Sequence, residues 1–474
     1  MSADKTTSVP PEVRRALEFF GTDGIRGAVG GPCIQPAFFY RLGRALARFA
    51  QSREGAAAAP RVLVGRDTRA SGQALENAFC AGFAAEGGEG VPLGILPTPA
   101  LAWTLKKEGA AVAAMITASH NPARDNGIKF FLPPGRKLQI AEEEVLEEIL
   151  AGIPVATPPL EEPSPELPPP PPGEAVQNYG RQVREAFGDL DLGGTLIALD
   201  CAHGATFALA PEIFRALGAR LLTRGDAPDG TNINRAVGSE HTASLAAWVR
   251  ESGAAVGIAF DGDGDRVQFC DHRGEILDGD ALLYILARED ARLARTPGLL
   301  VATVQSNLGL DKALNRLGIQ VRRTAVGDRN VSEAMQQEGA HWGGESSGHL
   351  INSDFQWTGD GLVAALSILR LWQREKGDWA SLREGFVPFP QATAKVEVPA
   401  KPPLETLPGL SAAMRTVAAA LAGEGRMLIR YSGTEPVLRF LVEAPSTEAA
   451  EAHRATLVEA VKADFSRLSG TSGG

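Results

Sequence analysis

The sequence lacks the features that mark membrane, secreted and disulfide-stabilised proteins. None of its apolar runs approaches the length of a membrane span, and the N-terminal stretch has two prolines but no apolar segment typical of a secretory signal. The four cysteines are scattered and form no CxxC pair, which argues against a disulfide framework and a zinc site. We therefore expect a cytoplasmic protein with no membrane partner.

The chain has no net positive charge, and it lacks two common nucleotide-binding motifs. The formal net charge is −10, so a broad basic surface for nucleic acid is not expected. No Walker lysine is present, and no GxGxxG opens a helix after a strand, so ATP and dinucleotide chemistry are not indicated. An anionic substrate would need a local cluster of arginines.

The hydrophobic pattern favours several α/β domains, because 474 residues exceed the size of a single core. Short apolar segments with strand character alternate with alanine- and leucine-rich stretches at helical spacing, which predicts largely parallel sheets. The predicted strands are Arg61–Gly65, Ala111–Ile116, Thr195–Asp200, Ala255–Phe260 and Leu299–Val304. The clearest predicted helices are Phe38–Phe49, Ala74–Ala85 and Leu362–Trp372.

Two proline-rich stretches divide the chain. Pro154–Pro172 holds ten prolines in nineteen residues and predicts a surface connector between the first and second domains. Pro388–Pro408 precedes a segment with a different pattern. That segment is predicted to form a helix, two strands and a second helix, at Leu410–Leu421, Arg426–Tyr431, Val437–Val442 and Thr447–Ser466. We therefore expect a small α+β domain at the C-terminal end.

A serine and a set of aspartates directly follow two of the predicted strands. Ser119 lies in the loop Thr117–Pro122, where α/β domains usually bind ligands, although a turn or helix-capping serine would fit the same residues. In Asp261–Arg266 alternate aspartates share one face, and their carboxylates can converge on a cation. All-oxygen ligation suits Mg²⁺ or Ca²⁺, while Arg266 and His272 stand where an EF-hand needs glycine and glutamate. We therefore predict a metal site rather than a solvated acidic turn.

Two further loops carry groups suited to sugars and phosphates. Gly343–His349 combines small residues with a carboxylate, hydroxyls and an imidazole, which suits recognition of sugar hydroxyls, although a glycine-rich loop without function would look the same. Arg430–Pro436 offers an arginine fork, two hydroxyls and a glycine amide, which together could cradle a phosphate. An ordinary β-turn with an incidental arginine is the alternative for this loop.

Together and in this order, the four loops closely resemble the α-D-phosphohexomutase family, over a span from Phe20 to about Glu443. Further segments resemble the branch of that family that acts on glucosamine phosphates. They are Phe20–Gly27, Asp125–Phe131, Pro228–Asn234 and Val326–Arg329. Ser346 departs from the family pattern, since glutamine is typical there in this branch and methionine in the phosphomannomutase branch.

The resemblance implies four domains around a central cleft, the first three α/β with mixed sheets and the fourth a smaller α+β domain. With the boundaries indicated by the sequence, the domains cover residues 17–155, 174–271, 272–387 and 388–468. Each domain then contributes one of the four loops, in the order phosphoserine, metal, sugar and phosphate.

The resemblance also implies a role for each site residue. Ser119 resembles a phosphoryl carrier, and a phosphoserine oxygen would join Asp261, Asp263 and Asp265 as ligands of one Mg²⁺. The remaining residues fall into three groups: cationic and proton-handling Arg26, Lys129, Arg266, Arg329 and His349; the sugar-hydroxyl readers Glu345 and Ser347; and the distal-phosphate site Arg430, Ser432, Gly433 and Thr434. Lys129 or His349 would act as the general base.

The activity implied by the resemblance is the interconversion of glucosamine 6-phosphate and glucosamine 1-phosphate. The reaction would pass through a glucosamine 1,6-bisphosphate intermediate and lead toward UDP-N-acetylglucosamine. Phosphomannomutase or phosphoglucomutase activity would use the same residues and stays open. A non-catalytic phosphosugar sensor and a phosphatase are alternatives from other classes. The expected partner is a hexose phosphate, and a homodimer is possible.

Overall fold

The computed structural model describes residues 17–53, 55, 59–155, 173–295, 297–432 and 436–470. Most of the predicted proline-rich connector, and Gly433 and Thr434 of the predicted phosphate loop, lie outside these residues. No helix among the described residues is long and apolar enough to cross a membrane.

The first domain is a six-stranded mixed sheet with helices packed against it. Its elements are β1 Ile25–Ala28, α1 Pro36–Ser52, β2 Arg61–Arg66, α2 Gly72–Ala85, β3 Glu89–Ile95, α3 Thr98–Glu108, β4 Val112–Ile116, β5 Asp125–Leu132, β6 Arg136–Lys137 and α4 Ile140–Ala151. The strand order is β1-β5-β4-β2-β3, with β6 paired to β5. The pairs of β2 with β3 and β4 are parallel, whereas those of β5 with β1, β4 and β6 are antiparallel. β4 is buried throughout, as its unbroken apolar run predicts for a central strand.

The second domain repeats this plan with five strands. Its elements are α5 Glu174–Ala186, β7 Leu196–Asp200, α6 Leu209–Ala216, β8 Arg220–Arg224, α7 Thr242–Ser252, β9 Val256–Phe260, β10 Val267–Asp271 and β11 Ile276–Leu277. The order is β11-β10-β9-β7-β8. β11 pairs with β10, so this sheet continues to Leu277. The domain boundaries stay a prediction, and the pairing of β11 favours a junction near that residue.

The third domain has four strands, and the fourth has three. The third contains α8 Gly279–Arg292, β12 Leu299–Thr303, α9 Leu308–Asn315, β13 Gln320–Thr324, α10 Asp328–Glu338, β14 Trp342–Gly344, β15 Leu350–Asn352, α11 Gly361–Arg374 and α12 Trp379–Arg383. The fourth contains β16 Gln391–Glu397, a 3₁₀ turn Leu404–Thr406, α13 Pro408–Leu421, β17 Arg426–Tyr431, β18 Val437–Glu443 and α14 Thr447–Gly470. The strand orders are β13-β12-β14-β15 and β16-β18-β17. The predicted fold class, three mixed α/β domains and a smaller α+β domain, is therefore confirmed.

The hydrophobic cores join the first three domains and leave the fourth apart. One cluster of buried side chains runs from the first domain through the second into the third, with Leu101, Phe214 and Leu366 among its members. The fourth domain has its own cluster, which includes Leu410 and Phe440. We conclude that the first three domains form one apolar unit, to which the fourth is joined mainly through polar contacts.

Candidate active site

Ser119 lies just beyond the end of β4 and is fully buried. Its backbone has a φ of 51°, in the left-handed region that few non-glycine residues adopt, and such strain is often found at functional sites. The hydroxyl Oγ donates a hydrogen bond to Oδ2 of Asp261 at 2.6 Å. The structure thus joins the predicted carrier loop of the first domain directly to the predicted metal loop of the second.

The three aspartates of the metal loop follow β9 and converge. Asp261, Asp263 and Asp265 are buried, and one carboxylate oxygen from each lies within 4.8 Å of the others. Burial, and then the repulsion from Asp263 and Asp265, holds the pKa of Asp261 well above its usual value. Oδ1 of Asp263 has no hydrogen-bond partner among the described residues. Three buried carboxylates with an unsatisfied oxygen suit a divalent cation with oxygen ligands, so the residues fit Mg²⁺.

Lys129 lies on β5 and reaches the same carboxylates. Its Nζ is 2.6 Å from Oδ2 of Asp263 and 2.7 Å from Oδ2 of Asp265. Burial disfavours the charged ammonium, but the attraction of these two aspartates outweighs it and holds the pKa of Lys129 well above its usual value. The side chain is therefore held as an ammonium ion within the carboxylate cluster of the metal loop.

His349 lies between two carboxylates at the back of the cleft. Its Nδ1 is 3.5 Å from Oδ1 of Asp265, and its Nε2 is 3.0 Å from Oδ2 of Asp328. Burial opposes protonation, but the two carboxylates raise the pKa of His349 to about 10. Asp328 also pairs with the buried Lys137 of the first domain. The amide of Gly359 also lies 3.0 Å from Nε2. The two carboxylates favour the protonated imidazole, which can donate a proton.

Arg26 and Arg266 place positive charge beside Ser119. His120 links them to the serine: its Nδ1 lies 3.1 Å from Nη1 of Arg266 and 3.4 Å from Oγ of Ser119. Burial and then Arg266 lower the pKa of His120 to about 4, so Nδ1 accepts the hydrogen bond from the guanidinium. Arg26 pairs with Asp23, and both arginines line the cleft.

A cleft of ≈ 1090 Å³ opens in front of these groups, which is ample for a hexose bisphosphate. All four domains contribute to its wall. Polar and charged lining residues include Asp23, Arg26, His120, Arg266, Asp328, Arg329, Glu345, Ser347, His349, Arg430 and Arg439. The predicted sugar and phosphate loops therefore face the same space as the predicted carrier loop.

The sugar loop is oriented by the start of α10. The amide of Gly327 donates to Oε1 of Glu345 at 3.0 Å, and Ser347 Oγ is buried without a hydrogen-bond partner among the described residues. Arg329 also lines the cleft, but its Nη1 donates to Glu143 of the first domain at 2.7 Å. Its guanidinium thus links the first and third domains as well as facing the site.

The described part of the phosphate loop lies at the end of the β17–β18 pair. Arg430 and Arg439 are register partners, and burial and then Arg439 lower the pKa of Arg430. Ser432 is buried, and its carbonyl accepts a hydrogen bond from Lys401 Nζ at 2.6 Å. Two arginines side by side make an anionic ligand favourable here.

Sequence reasoning missed several residues that hold this site together. Asp67 and Arg69 follow β2, and Arg69 contacts the carrier loop, as does Asn234 of the second domain. The sequence did contain a signal for Asp67 and Arg69, because they are polar residues that directly follow an apolar strand, as Ser119 and Asp261 do. Asp328, Lys137 and Arg439 carried no comparable local signal, since their roles depend on partners in other parts of the chain.

Comparisons with known proteins agree with this architecture. Models of the four phosphoglucomutase/phosphomannomutase domains match the chain: α/β/α domains I, II and III at residues 17–154, 174–274 and 278–388, and the C-terminal domain at residues 394–460. A phosphoglucosamine mutase from Alkalilimnicola ehrlichii is 44% identical, covering 94% of this chain and 97% of the relative. One from Geobacillus kaustophilus is 40% identical, covering 94% and 99%.

Solved structures show the same fold. A phosphoglucomutase/phosphomannomutase family protein from Burkholderia thailandensis superposes with a TM-score of 0.75 at 24% identity, over 94% of this chain and 97% of that one. An N-acetylphosphoglucosamine mutase from Aspergillus fumigatus, solved with GlcNAc-6P and magnesium, gives 0.66 at 18% identity, over 95% and 96%. By its domains and its close relatives, the chain belongs to the phosphoglucosamine mutase branch of the α-D-phosphohexomutase family.

Proposed function

We propose that this enzyme interconverts glucosamine 6-phosphate and glucosamine 1-phosphate, with Ser119 as the phosphoryl carrier. The observation that carries the proposal is the buried contact of the Ser119 hydroxyl with Asp261, in an aspartate triad that Lys129 also reaches. A non-catalytic phosphosugar sensor would have no use for a buried serine joined to a metal site. The chemistry at Ser119 therefore supports a transferase mechanism.

The chain's own residues would bind and orient the sugar phosphate. Arg430 and Ser432, together with Gly433 and Thr434, would hold the phosphate that is not reacting. Glu345 and Ser347 would bind ring hydroxyls, with Arg329 beside them. This grip fixes the remaining sugar hydroxyl toward the phosphoserine, and such positioning supplies much of the rate in phosphoryl transfer.

In the first half-reaction the phosphoryl group would pass from Ser119 to the free sugar hydroxyl. Lys129, which lies beside Asp263 and Asp265, would take the proton of that hydroxyl once a cation held by the aspartates offsets the attraction that keeps its ammonium protonated. Arg26 and Arg266 would neutralise charge on the phosphoryl oxygens. The product is glucosamine 1,6-bisphosphate. The proton taken by Lys129 would pass on to the departing serine oxygen, so that Ser119 is left as the hydroxyl that donates to Asp261.

In the second half-reaction the bisphosphate would turn over and return its other phosphate to Ser119. The proton moves back to the sugar oxygen, from Lys129 or from the cationic His349. Asp261, Asp263 and Asp265, with a phosphoserine oxygen, would hold Mg²⁺. When bound, Mg²⁺ supplies a positive charge that stabilises the departing serine oxygen. The distal-phosphate site would bind whichever phosphate is distal, before and after the bisphosphate turns.

The preference for glucosamine is part of the proposal. An ammonium at C2 only donates hydrogen bonds, whereas a hydroxyl also accepts them. Glu345 is the acid of the sugar loop, and the unusual Ser346 lies beside it in the cleft. Neighbouring contacts of this kind supply about 1–3 kcal/mol, a preference of roughly tenfold to a hundredfold. We therefore expect measurable turnover of glucose phosphate as a side activity.

A coupled assay with glucosamine, glucose and mannose 6-phosphates at equal concentration tests the proposal. We expect the highest kcat/KM for the glucosamine compound. At least tenfold better turnover of glucose or mannose phosphate would contradict the substrate assignment and leave the mutase mechanism in place. A cytoplasmic location and a homodimer belong to the same proposal, and light scattering on the purified protein tests the second.

A further inference from the structure

Arg69 is a buried arginine whose two terminal nitrogens donate to backbone carbonyls at and just after the carrier serine. The residue is 1% exposed, and its Nε binds Oδ2 of Asp67 at 2.9 Å. Its two terminal nitrogens donate to four backbone carbonyls between Ser119 and Asp125, a segment that runs from the carrier loop to the start of β5. These are Pro122 at 2.5 Å and Asp125 at 2.8 Å from Nη1, and Ser119 at 3.1 Å and Asn121 at 2.8 Å from Nη2. The loop therefore wraps around a single guanidinium.

A second donor reaches two of the same carbonyls from the other domain. Asn234 lies in the Pro228–Asn234 segment, which has no assigned role in the reaction. Its Nδ2 donates to the carbonyl of Ser119 at 2.8 Å and to that of Asn121 at 3.0 Å. The amide of Ala70 donates to the carbonyl of Gly230 at 2.9 Å, so the two supporting segments also bind each other.

The backbone amide of Ser119 is also fixed by hydrogen bonding, as its carbonyl is. Its N–H donates to Thr117 Oγ1 at 2.9 Å, and that hydroxyl donates to Oδ2 of Asp67 at 2.7 Å. Gly262 of the metal loop packs so closely that an added Cβ would lie 2.5 Å from the Ser119 carbonyl oxygen. The left-handed backbone of Ser119 is thus fixed from both ends and from the metal loop.

We propose that Arg69 and Asn234 are positioning residues, which hold the carrier loop so that the Ser119 oxygen stays in line between the metal loop and the sugar hydroxyl. The inference rests on the proposed function of Ser119 and adds two residues to it. Neither side chain lines the cleft, so each acts through the loop. A displacement of about 1 Å at a reacting atom lowers a rate by roughly 10²-fold, which gives the scale of the expected effect.

Arg69→Lys tests the inference, because lysine keeps the charge but one nitrogen cannot serve four carbonyls. Arg66→Lys is the matched control: Arg66 is also buried and pairs with Glu76 at 3.1 Å, but among the described residues its side chain makes no hydrogen bond to the carrier loop. Asn234→Ala removes the second donor and serves if Arg69→Lys does not fold. For each variant, kcat, KM, the Kd for glucosamine 6-phosphate and the Tm are measured.

We expect kcat to fall roughly 10²-fold in Arg69→Lys and about tenfold in Asn234→Ala, with KM and Kd within about threefold of the wild type. Arg66→Lys should keep the wild-type kcat even where its Tm falls. The double variant should lose less than the product of the single losses, because both donors serve the same carbonyls.

Equal kcat in Arg69→Lys and Arg66→Lys, or losses of kcat that follow Tm across the three variants, would overturn the inference. Failure of the proposed function would look different, since the wild-type protein itself would then turn over none of the sugar phosphates.

Discussion

Asp280 shows how burial sets the charge of a single carboxyl group away from the reaction. It lies in the first turn of α8, is 2% exposed, and accepts the amide of Asn307 at 2.7 Å. Burial, and then the neighbouring Asp278, raises its pKa to about 7. Because the folded-state pKa lies above the unfolded one, ionisation costs stability. The penalty is absent below about pH 4 and complete above about pH 7.

Asp280→Asn removes this penalty while keeping an oxygen for the amide of Asn307. At pH 8 we expect the variant to have a higher Tm than the wild type, because a pKa raised from 3.8 to about 7 corresponds to about 4 kcal/mol of unfolding free energy. The difference should shrink as the pH falls toward 4. Asp226→Asn, at an exposed position, is the control and should change Tm little at either pH. A Tm difference that is the same at pH 4 and pH 8 would contradict the assignment.

Asp263 carries a second prediction at this scale. Activity should vanish with a chelator and return with Mg²⁺, and Asp263→Asn should weaken Mg²⁺ binding because one of three anionic ligands is lost. Asp271→Asn is the control, since Asp271 is also buried in the second domain but lies outside the triad. Isothermal titration with Mg²⁺ measures both affinities. Full activity of the metal-free protein would show that the triad is not a catalytic metal site.

Single residues were predictable where they follow a strand directly. Ser119 and the three aspartates stand at strand ends, and the structure brings them together as the α/β pattern led us to expect. The partner of Arg329 was not predictable, because Glu143 is 186 positions away and the pair forms only when the first and third domains meet. Local patterns identify reactive groups but not their distant partners.

At the scale of elements, the β17–β18 pair of the fourth domain reaches from a contact with the third domain to the cleft. At one end Arg426 pairs with the buried Glu443, and Arg426 also donates to the carbonyl of Val304 at 2.9 Å. Arg430 and Arg439 stand at the other end of the pair. Each lies four residues along its strand from the Arg426–Glu443 pair, which is about 13 Å in an extended strand. The strand pair is thus anchored on the third domain and presents its arginines to the cleft.

Arg430→Ala should raise KM for glucosamine 6-phosphate and release more free bisphosphate during turnover, since the intermediate loses a grip while it turns. A charge-assisted fork of this kind is worth on the order of 2 kcal/mol, or about thirtyfold in KM. Arg454→Ala is the control, because Arg454 pairs with Glu451 on the surface of α14 in the same domain. Chromatography of the reaction mixture measures the released bisphosphate. An unchanged KM would place the phosphate site elsewhere.

The elements named from the sequence match the structure, and one of those that were missed has a clear cause. The predicted strand Arg426–Tyr431 matches β17, and the predicted helix Leu410–Leu421 lies within α13. β16 was missed because it lies inside the proline-rich stretch Pro388–Pro408, in a part of that stretch that itself contains no proline. Its alternating buried and exposed residues pair along β18, a contact that no local pattern shows.

At the scale of the whole molecule, the cores explain how the cleft is built. The first three domains share one apolar core, so the carrier, metal and sugar loops are held in one unit. The fourth domain has a separate core and meets this unit through contacts such as those of Asn307 with Phe389 at 2.8 and 3.0 Å. Hydrogen bonds of this kind re-form more easily than a shared apolar core. We therefore expect the proposed phosphate site to be the part of the cleft best able to move during the proposed turn of the intermediate.

The central claim is that Ser119 carries the phosphoryl group, and label transfer tests it most directly. Enzyme labelled on serine with radioactive phosphate is mixed with unlabelled glucosamine 6-phosphate, and the label is followed for one turnover. We expect it to leave Ser119 and appear in glucosamine bisphosphate and monophosphate, with Ser252→Ala, a surface-helix variant, behaving like the wild type. Ser119→Ala should take up no label and lose nearly all activity while still binding substrate. Label that stays on the protein during turnover, or full activity in Ser119→Ala, would contradict the account.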